Sequence, residues 1–236
     1  MEITFLGTSS SWAIPLPYCT CPQCKSRDKK DRRFRSSIYI KPDILFDAPP
    51  ELPLHFQNYR FIKIGKIFIT HSHSDHIFGL KDLFPNYRSL TKKLKIFTKR
   101  DVFSEIKKVF PSIKKDYFFF KLPENFEFFP VIHSEKIKTY GILYKGKKRF
   151  AYIPDTKGLP EKSIKILKNL DLLILDGTGE RENHLKEKEI KELILKIKPK
   201  KAILTHIGHW KIKHKDLQKK FKDYAKIAYD GMKIRL

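Results

Sequence analysis

The chain has 236 residues, 41% of them hydrophobic, enough to bury a core as one domain or at most two small ones. Fifty Lys and Arg against 26 Asp and Glu give a formal net charge of +24, which favours phosphate-bearing partners, whether small metabolites or nucleic acid. The Lys- and Ile-rich make-up is equally that of a heat-adapted surface. No apolar run reaches the roughly 18 residues of a membrane span, "MEITFLG" lacks a signal-peptide pattern, and a reducing, cytoplasmic setting is expected.

Short Ile-, Phe- and Tyr-rich runs predict strands at Glu2–Leu6, Ser37–Lys41, Asp43–Phe46, Lys66–Thr70 and Lys95–Lys99. Further strands are predicted at Glu127–His133, Ile137–Lys145, Arg149–Ile153, Leu172–Asp176 and Ala202–Thr205. Helical patterns fall between them at Ile77–Phe84, Asp101–Phe110, Lys162–Asn169, Lys186–Ile197 and Lys215–Tyr224. In Lys186–Ile197 the residues Ile190, Leu193, Ile194 and Ile197 form one stripe suited to packing on a sheet. Strands alternating with helices predict an α/β sandwich of stacked layers, sheet against sheet with helices outside, in a single domain spanning 1–236.

The longest irregular stretch, Gly7–Arg35, is too long for a passive connection in a compact domain. It holds all three cysteines, Cys19, Cys21 and Cys24, in a C-x-C-x-x-C spacing. In a reducing compartment this reads as metal ligation or redox chemistry rather than a disulfide, and a closed zinc site would need a fourth ligand. The basic run "KSRDKKDRRFR" (Lys25–Arg35) reads either as a phosphate-contacting patch or as a solvated surface.

The densest chemistry lies in "THSHSDH". His71 and His73 share one side of an extended segment at a strand end, and Asp75 and His76 turn to another. Two ligand pairs pointing differently suit two adjacent metal ions. Taken singly, His133, His206 and Asp155 read as strand-end or turn residues, and Asp47 as a turn residue before Pro49. His55 and His214 stand without companions and are read as surface residues.

H-x-H-x-D-H after a strand resembles the signature of the metallo-β-lactamase fold superfamily, with its αββα four-layer sandwich. The resemblance runs in chain order through "ITFLGTSS", "ILFDAPPE", "VIHSEKIKTYG", "AYIPDTKGLP" and "LTHIGH". It implies that His71, His73 and His133 hold one divalent metal and Asp75, His76 and His206 a second, with Asp155 bridging and Asp47 orienting a ligand histidine from behind. The metals would be Zn or Mn, with Fe a further candidate.

The Cys loop, "THIGH" and "GERENHLKEKEI" narrow the likeness to the branch containing the cyclic phosphodiesterase PhnP. That implies a structural zinc on Cys19, Cys21, Cys24 and His209, with His184 in catalysis. A metal-activated water would attack a small cyclic phosphodiester, of ribose cyclic phosphate or cyclic nucleotide type. His184 would protonate the leaving alkoxide, and nearby Lys and Arg would neutralise charge. Asp75 could also assist the water.

Two other readings stand beside this one. One is an RNA-processing nuclease or nucleic-acid-binding protein of the same superfamily, although the long Gly/Pro-rich arm of its tRNA nucleases is missing. The other is an accessory protein that keeps the fold. The oligomeric state is open, a dimer being compatible.

Overall fold

Apolar side chains occupy both faces of most strands, so each sheet must be covered on both sides. The computed structural model, which describes residues 1–59, 63–83, 94–179 and 182–236, meets this demand with four layers. The first half runs β1 (Glu2–Gly7), β2 (Ser37–Ile40), β3 (Ile44–Phe46), α1 (Leu52–Asn58), β4 (Lys66–Phe68), α2 (Ser74–Ile77), α3 (Leu80–Leu83), β5 (Lys95–Phe97), α4 (Arg100–Val109) and β6 (Phe118–Phe119). The second runs β7 (Phe126–Val131), β8 (Thr139–Lys145), β9 (Arg149–Ile153), α5 (Glu161–Ile166), β10 (Leu172–Asp176), α6 (Glu187–Ile197), β11 (Ala202–Thr205), α7 (His214–Lys220), β12 (Lys226–Ile227) and β13 (Lys233–Arg235).

Among the described residues one sheet has the order β13-β1-β2-β3-β4-β5-β6 and the other β12-β11-β10-β9-β8-β7. Strand alternation explains the layering. Ile3, Phe5, Ile38, Phe46 and Phe68 from one sheet meet Ile142, Phe150, Tyr152 and Ile174 from the other in the central core. The alternate residues Tyr39, Leu45, Ile67 and Ile96 face Leu52, Ile77, Leu80 and Ile106 of the first helical layer. Leu143, Ala151, Leu173 and Leu204 face Ile190, Leu193, Ile197 and Leu217 of the second. This is the αββα sandwich.

The predicted stripe on α6 is buried at Ile190, Leu193, Ile194 and Ile197, each contributing about 1.5–3 kcal/mol of apolar burial. The Glu189 side chain accepts from the Lys186 backbone N–H at 2.7 Å, fixing the start of that helix.

Strands β9, β10 and β11 fall where the sequence predicts them. The expected helix Ile77–Phe84 differs: it is two single turns, α2 and α3, separated at Phe78–Gly79, and Phe84 lies outside the described residues. The reason is contact. Gly79 N–H donates to Ala48 O at 2.9 Å, and a Cβ on Gly79 would stand 2.3 Å from Pro49 O. The short strands β6, β12 and β13, two or three residues each, carry too little periodicity to be seen in sequence. Helix α1, opened by Pro53, was missed for a similar reason: its Pro-rich start reads as a turn.

Candidate metal centre

Three parallel, adjacent strands build one side of the site. Strands β9, β10 and β11 pair in register. Asp155 lies just beyond the end of β9, Asp176 ends β10, and His206 follows β11. Across the sandwich, β3 and β4 are parallel neighbours. They deliver Asp47 and the "THSHSDH" turn, while β7, in the same sheet as β9, β10 and β11, delivers His133. Ligand-type residues beyond the carboxyl ends of parallel strands meet without strain on the strands themselves. The strain sits instead at two turn residues, Asp47 and His206, whose φ angles are +58° and +53°.

The structure brings together all the residues the sequence singles out there. Donor atoms of His71, His73 and His133 form one group within 4.8 Å, and those of Asp75, His76 and His206 another. His71 Nε2 is 2.8 Å from His73 Nδ1, and His133 Nε2 is 3.4 Å from it. Asp155 lies between the groups. Its Oδ1 is 3.6 Å from His133 Nε2, and its Oδ2 is 3.0 Å from His76 Nε2 and 3.3 Å from His206 Nε2.

Four of these histidines are fixed from behind. His76 Nδ1 donates to Asp47 Oδ2 at 2.8 Å, and His133 Nδ1 to Asn183 O at 2.8 Å. His206 Nδ1 donates to Thr178 Oγ1 at 2.8 Å, and that hydroxyl donates in turn to His206 O. Asp47 also accepts from Thr70 N–H and Oγ1, while His71 Nδ1 lies 3.0 Å from the same hydroxyl. An outward N–H that is held in this way leaves an inward lone pair, the arrangement that metal-binding imidazoles require.

This donor set fits divalent cations. Imidazole lone pairs converge on one another, and the buried His76 Nε2 and Asp155 Oδ2, though 3.0 Å apart, make no aligned hydrogen bond. The electrostatics agree. Burial would lower the His76 pKa, but Asp75, Asp155 and Asp47 push it well above its ordinary value. Burial would raise the pKa of Asp75 and Asp155, yet His76 and His206 hold both well below the carboxylate range. His71, buried and with His76 beside it, is pushed well below the ordinary histidine value. Negative charge is thus concentrated where cations would sit.

His184 stands beside this cluster. Its Nδ1 is 2.7 Å from Asp176 Oδ2, and burial, which lowers its pKa, is outweighed by Asp176 so that the pKa is raised. Asp176 also accepts from Thr156 N–H and Thr178 N–H at 2.9 and 2.8 Å, locking the turns after β9 and β10. In the sequence Asp176 is only the end of the predicted strand "LLILD". The available signal was an acid at the end of an all-apolar parallel strand.

His209 Nε2 lies 3.4, 3.1 and 3.4 Å from the sulfurs of Cys19, Cys21 and Cys24. The S–N edges of a Cys₃His tetrahedron with Zn–S about 2.3 Å and Zn–N about 2.0 Å are about 3.5 Å. The four side chains therefore fit a zinc ion. Burial raises the Cys24 thiol to about 11, so its ligation would require a cation to hold the thiolate.

The substrate-sized opening above these groups is a cleft of about 280 Å³ lined by Ser10, Ser11, Trp12, His73, His133, Asp155, Thr178, Glu182, Asn183 and His184. No Lys or Arg is among those described lining residues. Glu180 and Arg181 of the "GERENHLKEKEI" block lie outside the described residues.

Three other sequence expectations are corrected. His55 is fully buried on α1, edge-on to Phe34. His214 is buried, its Nδ1 2.9 Å from Arg33 Nη2. The run Lys25–Arg35 is not simply solvated. Arg33 is buried, donating to Thr8 Oγ1 and Ala228 O, and Arg35 pairs with Glu51. Lone residues in a polar run carry no periodicity, so nothing in the sequence distinguished the buried ones.

Fold and donor clusters together define a metal-dependent hydrolase enzyme. The beta-lactamase superfamily domain matches residues 42–207, and the chain belongs to that superfamily. Within it the structure closely resembles the PhnP-like branch. A crystal structure described as a new diphosphatase from the PhnP family is 27% identical with a TM-score of 0.86, covering 100% of this chain and 97% of that one. Zinc-bound PqqB from Methylobacterium extorquens shares the fold at 19% identity and TM-score 0.82, each chain covered in full. An octanoyltransferase of Porphyromonas gingivalis (strain ATCC BAA-308 / W83) is 25% identical over 98% of this chain, which spans only 51% of that protein's length. No described helix is long and apolar enough to cross a membrane.

Proposed function

We propose that this chain acts as one hydrolase domain cleaving a small phosphodiester, of the ribose cyclic phosphate or cyclic nucleotide type. His71, His73 and His133 would hold one divalent cation (Zn or Mn, with Fe a further candidate), and Asp75, His76 and His206 a second. Asp155 would offer one oxygen to each. Two cations held there would supply Lewis acidity and lower the pKa of water toward neutrality. Cys19, Cys21, Cys24 and His209 would hold a structural zinc that staples the N-terminal loop to the turn after β11.

The observation that carries the reading is His184 on Asp176, beside both donor groups and lining the same cleft. A sugar alkoxide leaves poorly without a proton, and an imidazole whose pKa is raised by a carboxylate holds its proton more readily than a free one. Ser10 and Ser11 offer hydroxyls to phosphoryl oxygens along the lining. The diphosphatase relative supports phosphorus chemistry, and cleft size supports a small substrate. At about 280 Å³ the opening lies at the small end of ligand sites. A groove tracking single-stranded RNA uses a cationic wall, and the described lining offers none, which disfavours the RNA-processing alternative despite the charge of +24.

The test is a panel of ribose cyclic phosphate, 2′,3′-cyclic nucleotides, a chromogenic diester and short RNA, with elemental analysis alongside. We expect turnover of the small cyclic diesters, about two active-site metals and one zinc per chain, and a loss of 10²–10⁴-fold in kcat for His184→Ala with metals retained. Wild-type kcat in His184→Ala would remove the acid role. Cleavage confined to RNA would overturn the substrate class.

A further inference from the structure

The cleft has one feature that the phosphodiester chemistry does not use. Trp12 is 61% exposed, yet it lines the same opening as His73, His133 and His184. Single exposed apolar residues on a surface are ordinary, but this one is placed. Its segment lies between two bridge residues, Ser9 paired with Arg35 and Ile207, and Ile14 paired with Arg33. Ser9 Oγ donates to Trp12 O at 2.6 Å, and Arg35 Nε donates to Ser11 O at 2.8 Å, with Arg35 itself held by Glu51. The backbone is thus pinned on both carbonyls while the indole, among the described residues, neither stacks on another ring nor donates a hydrogen bond. Every other described lining residue is a hydroxyl, amide, carboxylate or imidazole. Among the described lining residues Trp12 alone offers apolar, flat surface to whatever the diester carries.

Building on the phosphodiesterase reading, we propose that Trp12 is a stacking platform for a planar heteroaromatic ring. The substrate is then a nucleoside phosphodiester rather than a bare sugar phosphate. An indole face accepts any base without reading its edge, so the site selects for the presence of a base and tolerates its identity. The polar remainder of the cleft is left for the ribose and phosphate.

The test uses metal-loaded protein and two non-hydrolysed probes, adenosine 5′-monophosphate and ribose 5-phosphate, in equilibrium dialysis, with tryptophan emission followed in parallel. The base-bearing probe is expected to bind about tenfold tighter. Trp12→Ala should lose about that factor for adenosine 5′-monophosphate while leaving ribose 5-phosphate unchanged, and Trp12→Phe should keep most of it. Unchanged ribose 5-phosphate binding also reports that the variant is folded. Equal affinity for the two probes, or a Trp12→Ala loss shared by both, overturns the inference. The two readings fail separately. If no diester is cleaved while Trp12-dependent binding persists, the reaction is wrong and the platform stands. If cyclic diesters turn over with no dependence on Trp12, only the platform falls.

Discussion

His55 makes a prediction about stability that can be worked from its surroundings. The ring is 0% exposed, and neither nitrogen has a hydrogen-bond partner. Burial alone pulls its pKa from 6.5 to about 4, with no charged neighbour contributing. The folded pKa lies below the unfolded one, so between these values the unfolded chain binds a proton that the folded chain does not. Stability is therefore fully present above about pH 6.5 and is lost as pH falls toward 4. At one pKa unit per 1.36 kcal/mol, the loss from this group is about 2 kcal/mol at pH 5 and approaches about 3 kcal/mol near pH 4.

The perturbation is His55→Leu, which removes the titration and two unsatisfied buried nitrogens together. At pH 7.5 the variant is expected to be at least as stable as wild type, because no hydrogen bond is broken. Urea denaturation of both proteins at pH 7.5 and pH 5, with identical metal content, isolates the term. The variant should gain about 2 kcal/mol on wild type between the two pH values. Loss of bound metal in acid affects both chains and cancels in the difference. His214, pulled to about 4 by burial and the Arg33 charge, leaves the variant some acid lability of its own. A wild-type-to-variant gap that stays constant from pH 7.5 to 5 would refute the argument.

Asp47→Ala should weaken divalent metal binding about 10–100-fold, read by competition with a chelator, because His76 and Thr70 both lose the carboxylate that fixes them; unaltered competition would make Asp47 a turn former only. Gly208→Ala should destabilise the fold by about 1–3 kcal/mol and lower the content of both metal types, since its Cβ would stand 2.1 Å from Thr178 O between His206 and His209. Thermal melts and elemental analysis check this, and a wild-type melt would show that the turn has slack.

Much of this centre was legible because its residues come in dense or ordered blocks. "THSHSDH" places four candidate ligands in six residues, and the order of Asp155 and His206 behind it follows the strands that carry them. What stayed hidden depends on pairing across long separations. Asp176 and His184 are close in sequence, but the acid's further link to Thr156 N–H exists only because β9 and β10 lie side by side. The burial of Arg33 against Ala228 and His214 joins segments some 180–195 residues apart, and no local pattern encodes it. Which residues line the cleft was invisible for the opposite reason. A chain with 50 basic residues gives no sign of where they cluster, and none is among the described lining residues.

Strands β9, β10 and β11 work as a ruler. Neighbouring strands stand 4.7–4.9 Å apart, so Asp155, Asp176 and His206 are spaced by hydrogen-bond ladders rather than by loops. A one-residue insertion inside any of the three would turn its terminal side chain to the opposite face of the sheet, erasing a whole position from the centre. The segment around Asn183 follows β10, the segment around Trp12 is tied to the turn after β11 through the Ser9–Ile207 bridge, and neither sets the ruler's divisions. Remodelling for a new substrate therefore belongs in the segment around Trp12, where side chains can vary while the residues at the strand ends keep their marks.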